Sequence, residues 1–222
     1  MKVAALYDVH AMPWALEAVL AAVDDEQVDK VVFGGDYLYG PYPRETVAMI
    51  RALDAIVLRG NCEDLAEEWE RGELAPGDLE WLQSLPLAAI VDDVLYCHAA
   101  PNDNTPITTA NTPDEAVLAT FGETRGTVVI GHTHHQFDRA VDELRLINAG
   151  SVGMAYESDV AAYWTIVDDG EPIFRRTRFD VERAVAETRK SGWPYTPEFV
   201  EENLLVAVDR DEAIASLESR RT

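Results

Sequence analysis

The chain has 222 residues, 47% of them hydrophobic and 27% charged, which is the composition of a folded domain and not of a disordered tail. Forty-one acidic residues stand against 18 basic ones, a net charge of −23, which argues against extended nucleic acid or an anionic membrane as partner, because such binding rests on Lys and Arg at phosphates. No apolar run approaches the ~20 residues of a bilayer span, and the N-terminal MKVAALYDVH reads as a first strand and not as a signal peptide. Cys62 and Cys97 are the only cysteines and form no C-x-x-C pair, so the expected location is a reducing cytoplasm. The acid is spread along the chain, a distribution suited to a high-salt medium that screens carboxylates.

In chain order, residues 3–7 form a short apolar run of buried-strand type, and residues 13–23 carry apolar side chains at helical spacing behind Pro13. Residues 31–33 predict a second strand closed by Gly34-Gly35-Asp36, residues 43–53 a second helix, and residues 55–58 a third strand ended by Arg59-Gly60-Asn61. This β-α-β-α-β order implies parallel strands with right-handed crossovers. Residues 62–71 predict an acidic helix and 76–85 another. Residues 87–91 and 94–97 predict a hairpin about Asp92-Asp93 that ends at His98. A loop over 101–112 leads to a helix over 113–121 with Thr112 as its cap. Strands are expected at 127–130, 144–147, 161–167 and 173–179. Helices follow over 180–190, from Thr196-Pro197, and over 211–221. No linker or repeat divides the chain, so one domain over 1–222 is expected, with 180–222 as a helical extension packed on it.

Ligands of parallel sheets bind beyond the carboxyl ends of the strands. Asp8-x-His10, Gly35-Asp36, Gly60-Asn61, His98 and Gly131-His132-Thr133-His134 all follow apolar runs. Any one of them has an ordinary explanation as a turn or a hydrogen-bonded core residue; their convergence does not. A mixed nitrogen and oxygen set without a thiolate suits borderline or hard divalent ions. Seven side chains exceed one tetrahedral site and suit two adjacent ions sharing a carboxylate, with Mn favoured and Fe, Zn or Ni compatible.

The order D-x-H, G-D, G-N-x-[DE], H, G-H-x-H resembles the calcineurin-like metallophosphoesterase superfamily. GGDYLYGPYP, VLRGNCE, YCHAAP, VIGHTHH and INAGSVG are similar to its prokaryotic phosphodiesterase-like branch, as is the RFDVERAVAETRKSGWP tail. The resemblance implies a four-layer α-β-β-α sandwich. It implies that Asp8, His10 and His134 hold one metal, that Asn61, His98 and His132 hold the other, that Asp36 bridges them, and that a bridging hydroxide attacks phosphorus. Glu63, Asp64 and backbone carbonyls are candidates for orienting the ring nitrogens. Many members carry His after the G-N pair as leaving-group proton donor; here it is Cys62, a weak acid, with His135 as a second candidate donor. Activated diesters are therefore the expected best substrates. Tyr37, Tyr39 and Tyr42 could stack a nucleobase or simply pack. Arg59 could clamp a phosphate or pair with nearby acids. Trp14 reads as core or lid, and residues 148–153 as a turn supporting the site. The implied activity is a phosphodiesterase on small or nucleotide-like phosphoesters. The alternatives are a phosphomonoesterase, a dinucleoside-polyphosphate hydrolase, or a protein-binding scaffold on the same fold, and a homo-oligomer stays open.

Overall fold

Short apolar runs, buried on both faces, set the frame of the computed structural model, which describes residues 1–221. The first third alternates β1 (Lys2–Leu6), α1 (Pro13–Glu26), β2 (Lys30–Phe33), α2 (Pro43–Arg51) and β3 (Ile56–Val57). Three short helices follow, α3 (Asn61–Asp64), α4 (Glu68–Glu73) and α5 (Asp78–Ser84), then β4 (Ala88–Val91), β5 (Val94–Cys97), α6 (Asp114–Phe121) and β6 (Gly126–Ile130). The chain continues through β7 (Phe137–Val141), β8 (Leu144–Asn148), β9 (Ala162–Asp168) and β10 (Glu171–Thr177). It ends in α7 (Val181–Thr188), α8 (Thr196–Phe199) with a π-helical turn over Val200–Leu204, and α9 (Arg210–Arg220).

Two five-stranded sheets result, ordered β10-β9-β1-β2-β3 and β4-β5-β6-β8-β7. β1 to β3 run parallel in the first, and β5, β6 and β8 run parallel in the second. The alternation of side chains along a strand divides the core. Val3, Ala5 and Tyr7 of the first sheet pack between the sheets with Tyr96, Val129 and Ile147 of the second. Ala4, Leu6 and Phe33 face the other way, onto α1, α2 and the C-terminal helices. Val128, Ile130 and Leu146 bury against Val117 and Phe121 of α6. Helices thus cover both outer faces, giving the four-layer α-β-β-α order. Tyr7 Oη donates to Val129 O at 3.1 Å and ties one sheet to the other. Ala184, Val185, Trp193 and Phe199 share the core of the first sheet with Trp14 and Trp164. Among the described residues no helix is long and apolar enough to cross a membrane.

The structure departs from expectation at four places. The expected helix over 62–71 is two helices, α3 and α4, broken at residues 65–67. Thr112 does not cap α6; Pro113 occupies the cap position, and the Thr112 hydroxyl accepts from Thr109 N at 2.9 Å and donates to Glu218 of α9. β7 went unpredicted because only its two end residues, Phe137 and Val141, are buried. The last strand stops at Thr177 and not at Phe179. The hairpin at Asp92-Asp93 is as expected, with φ of 51° and 64°, the left-handed pair of a tight hairpin turn.

Candidate metal centre

The carboxyl ends of the two parallel triplets meet, and the loops leaving them carry the seven predicted ligands. Backbone bonds lace these loops together: Asp8 N donates to Gly35 O at 3.1 Å, His10 N to Asp36 O at 2.9 Å and Gly131 N to His98 O at 2.9 Å. The turn over 148–153 supports them from beneath. Asn148 Nδ2 donates to Gly131 O at 2.7 Å and Ser151 Oγ to Asp8 O at 2.8 Å. Asp8, His10, Asp36, His98 and His134 are buried. Asp8, His10, Asp36, His132 and His134 take φ from 48° to 65°, a left-handed conformation that costs an L-residue roughly 1–2 kcal/mol. Such strain clusters at functional loops. Gly60 is required by close approach, since a Cβ there would collide with the Asp36 carboxylate.

Two groups of donor atoms form, each within 4.8 Å: Asp8, His10 and His134, and Asp36, His98 and His132. Asp36 also lies within that distance of His10 and Cys62, which puts it between the groups. Asn61 Oδ1 stands 3.0 Å from His98 Nε2. The ring orientations are set by main-chain carbonyls. His10 Nδ1 faces Leu38 O at 3.2 Å, His98 Nδ1 faces Gly34 O at 2.9 Å and His132 Nε2 faces Thr105 O at 3.1 Å. A neutral ring that donates there presents a bare nitrogen on its other side. Those other nitrogens converge: His98 Nε2 is 3.2 Å from His132 Nδ1, and His10 Nε2 is 3.1 Å from His134 Nε2. Asp8 Oδ1 and His134 Nδ1 are buried without a hydrogen-bond partner. Lone pairs pressed together beside buried carboxylates fit divalent cations and little else.

Electrostatics support the same reading. Burial, with help from neighbouring imidazoles, lowers His10 and His132 to about 4, so both keep free lone pairs at neutral pH. Burial opposes ionisation of Asp8 and Asp36, yet the surrounding histidines hold both carboxyls below the usual range. Burial would likewise lower His98, but Asp36 and Asp8 outweigh it and raise that ring.

Other predicted residues fall in different places. Cys62 lines the cavity over the centre; its N–H donates to Asp36 Oδ1 at 2.9 Å and its thiol to Asp36 Oδ2 at 3.1 Å. Burial and Asp36 push the thiol well above its ordinary value. His135 lies outside the cavity, fully buried. Its Nδ1 donates to Thr133 O at 2.7 Å and its Nε2 accepts from Ala110 N at 3.3 Å, so neither nitrogen is free for a leaving group. Glu63 does not orient a ring. It accepts N–H bonds from Asp36, Tyr37 and Gly60 at 2.7–3.0 Å, and burial beside Asp36 raises it to about 7. Asp64 takes the Asn104 amide at 2.9 Å. Arg59 turns away to Gln83 O at 2.5 Å and to Asp64 at 3.6 Å. Tyr37 is core, its hydroxyl donating to Leu58 O at 2.6 Å. Tyr42 bonds Glu187 O at 3.0 Å, and Trp14 is core against it. Of the three tyrosines only Tyr39 lines the cavity. Among the residues that also wall this ≈ 430 Å³ cavity, the sequence reading missed Leu65, Glu67, Tyr156, Leu217 and Arg220. No local pattern marks Tyr156, Leu217 and Arg220, because α9 and the segment before β9 reach the centre only through tertiary packing; Leu65 and Glu67 lie at the break between α3 and α4, where one helix was expected.

Residues 1–169 match the calcineurin-like phosphoesterase superfamily domain. The chain is similar to a metallophosphoesterase from Sphaerobacter thermophilus, at 27% identity over 88% of this chain and 96% of that one, with a TM-score of 0.72. A hypothetical protein from Pyrococcus horikoshii shares the fold at a TM-score of 0.76 and 17% identity, over 90% and 97% of the two chains. A putative diadenosine tetraphosphatase superposes with a TM-score of 0.56 at 20% identity, over 79% of this chain and 93% of that one. Among curated proteins none matches the chain. The domain match, the shared fold and the convergent donors agree: the chain belongs to the calcineurin-like phosphoesterase superfamily and is a metal-dependent hydrolase of phosphoester bonds.

Proposed function

We propose that the protein is a dinuclear phosphodiesterase acting on small phosphodiesters. The observation that carries this is the two neighbouring donor groups, with Asp36 in one of them and also within reach of His10 of the other, beneath one open cavity. Asp8, His10 and His134 would hold one divalent ion, Asn61, His98 and His132 the other, and Asp36 both. Bound there, two such ions supply positive charge to phosphoryl oxygens and activate a water as nucleophile. The chain's own part is to keep the imidazoles of His10, His98 and His132 oriented through Leu38, Gly34 and Thr105 carbonyls and to hold Asp36 through the Cys62 N–H and thiol.

The diester preference rests on the cavity's charge. Glu67 and Glu70 line it, and Arg220 is the one Lys or Arg among the lining residues. A dianionic monoester or a polyphosphate chain meets more repulsion there than a monoanionic diester does. Cys62, the residue beside the phosphoryl site, is a thiol hydrogen-bonded to Asp36 and a poor proton donor, so esters with good leaving groups gain most. Cys62 and Cys97 are free thiols, which supports a reducing cytoplasmic setting.

The test is an assay on metal-stripped protein with Mn, Ni, Zn or Mg restored, comparing p-nitrophenyl phosphate with bis(p-nitrophenyl) phosphate. Metal-restored turnover favouring the diester is expected, with two equivalents of metal bound. Preference for the monoester overturns the substrate class, and absence of bound metal overturns the dinuclear centre.

A further inference from the structure

Beside the metal cavity lies a second one of ≈ 440 Å³, walled by Tyr39, Met154, Tyr156, Trp193, Tyr195 and Arg220. Four of these residues, Tyr39, Met154, Tyr156 and Arg220, line both cavities, so the two adjoin across a shared wall. Its far wall comes from beyond residue 169, where the superfamily domain match ends. Three aromatic rings cluster there, with Trp193 buried behind the two tyrosines. Tyr39 meets Tyr195 at 5.5 Å with a 36° tilt and Trp193 edge-on at 5.5 Å. Tyr39 and Tyr195 are 37% and 36% exposed, which leaves large ring surface open to a ligand. Tyr195 is held in place by its hydroxyl, which donates to Glu67 at 3.0 Å. Tyr156 joins this cluster to the centre, its ring 4.7 Å from that of His134.

Arg220 stands where the cavities meet. Most arginines of this acidic chain are held by carboxylates, as Arg145 is by Asp138 and Glu171. Arg220 is exposed and makes one hydrogen bond, to Ser216 O at 3.3 Å. Among the described residues it has no carboxylate partner. A guanidinium without a carboxylate partner among the described residues, in a chain of charge −23 and at the mouth of the metal cavity, is placed to receive an oxyanion. On its other side Arg220 borders a third cavity of ≈ 790 Å³ between residues 100–107 and α6. A diester seated at Arg220 therefore has room for both of its alcohol arms.

We propose that Arg220 contacts the phosphoryl group and that the Tyr39–Trp193–Tyr195 cleft binds a flat aromatic ester arm, so that the C-terminal extension sets substrate choice. This rests on the phosphodiester reading above and sharpens it. Glu198 and Glu202 also line the cleft, so the favoured arm is uncharged or cationic, and an arm carrying further phosphates is repelled.

Titration calorimetry of the metal-loaded protein with diphenyl phosphate and dimethyl phosphate tests this, since both are monoanions and differ only in their arms. Diphenyl phosphate is expected to bind about tenfold tighter. Arg220→Ala weakens both ligands about tenfold, because a charge-assisted bond to phosphate is lost whatever the arm. Tyr195→Ala removes the preference for the aryl ligand only, and Tyr195→Phe, which keeps the ring and loses the bond to Glu67, retains most of it. Equal binding of the two ligands, no binding of either, or variants that bind as wild type does would overturn the proposal. Turnover of bis(p-nitrophenyl) phosphate, followed in parallel, judges the phosphodiester reading separately. If it fails while the aryl preference and its loss in the variants persist, the cleft stands and the reaction is misassigned.

Discussion

The two walls of the cavity are built on opposite principles. The inner wall, from Asp8 to His134, is buried and over-determined, each loop bonded to the next through main-chain groups. The outer wall, at Tyr195 and Arg220, presents exposed side chains, each fixed through a single neighbouring residue, Glu67 and Ser216. The contrast separates chemistry from selection. Donor atoms for a metal must be held to within a fraction of an ångström, so their supports are redundant. Recognition of an alcohol arm tolerates slack, so its residues can vary without disturbing the centre.

Breaking the inner wall should give the largest effects. Asp36→Asn is expected to lower metal-dependent turnover more than about a hundredfold, beyond what loss of a merely supporting group costs, and to reduce bound metal as read by elemental analysis. Retention of both metal and rate would remove Asp36 from its shared position.

Acid should act just behind that wall, at His135. Burial lowers His135 to about 4, against an unfolded value of 6.5. Between those values the unfolded chain binds a proton that the folded one refuses, so stability falls as pH drops from 6.5 to 4. The His135 contribution is on the order of 3 kcal/mol. Urea unfolding of the metal-free protein at pH 7 and pH 4 should show a smaller difference in His135→Gln; an unchanged difference would show that protonation there does not load the fold.

Glu63→Gln tests how far the inner wall depends on one anchor. It puts an amide donor among the Asp36, Tyr37 and Gly60 N–H groups and is expected to cost about 2–3 kcal/mol, measured as a lower Tm. An unaltered Tm would mean that the loops after β2 and β3 hold themselves.

Cys62→Ser marks the border of the two walls and should be mildest. A serine hydroxyl can still donate to Asp36, so turnover of bis(p-nitrophenyl) phosphate should stay within about threefold, roughly the change that 0.7 kcal/mol makes. A loss of two orders of magnitude would give the thiol a direct chemical task.

The inner wall was legible in the sequence because its residues follow apolar runs whose strand character is unambiguous, and parallel strands leave their carboxyl ends together. The limits were equally physical. His132, His134 and His135 are near neighbours in the chain, yet the left-handed turns at His132 and His134 aim those two at the centre, while His135 is spent on Thr133 and Ala110. Arg59 sits next to the Gly60-Asn61 motif and misses the cavity, whereas Arg220, more than 150 residues later in the chain, reaches it. Nothing local distinguishes the two, since α9 reads as a solvated helix end. β7 escaped because an edge strand with two buried residues lacks the alternation that betrays a half-buried one.

The left-handed backbone at Asp8, His10, Asp36, His132 and His134 has an evolutionary reach. Glycine would relax each of these positions, so the sequence that folds best and the sequence that holds metal are different sequences. Cations that bind only the folded chain offset the difference. A library of variants screened for heat resistance in the presence of a chelator would drift towards glycine at these sites and lose the reaction, whereas the same screen run with metal would keep them.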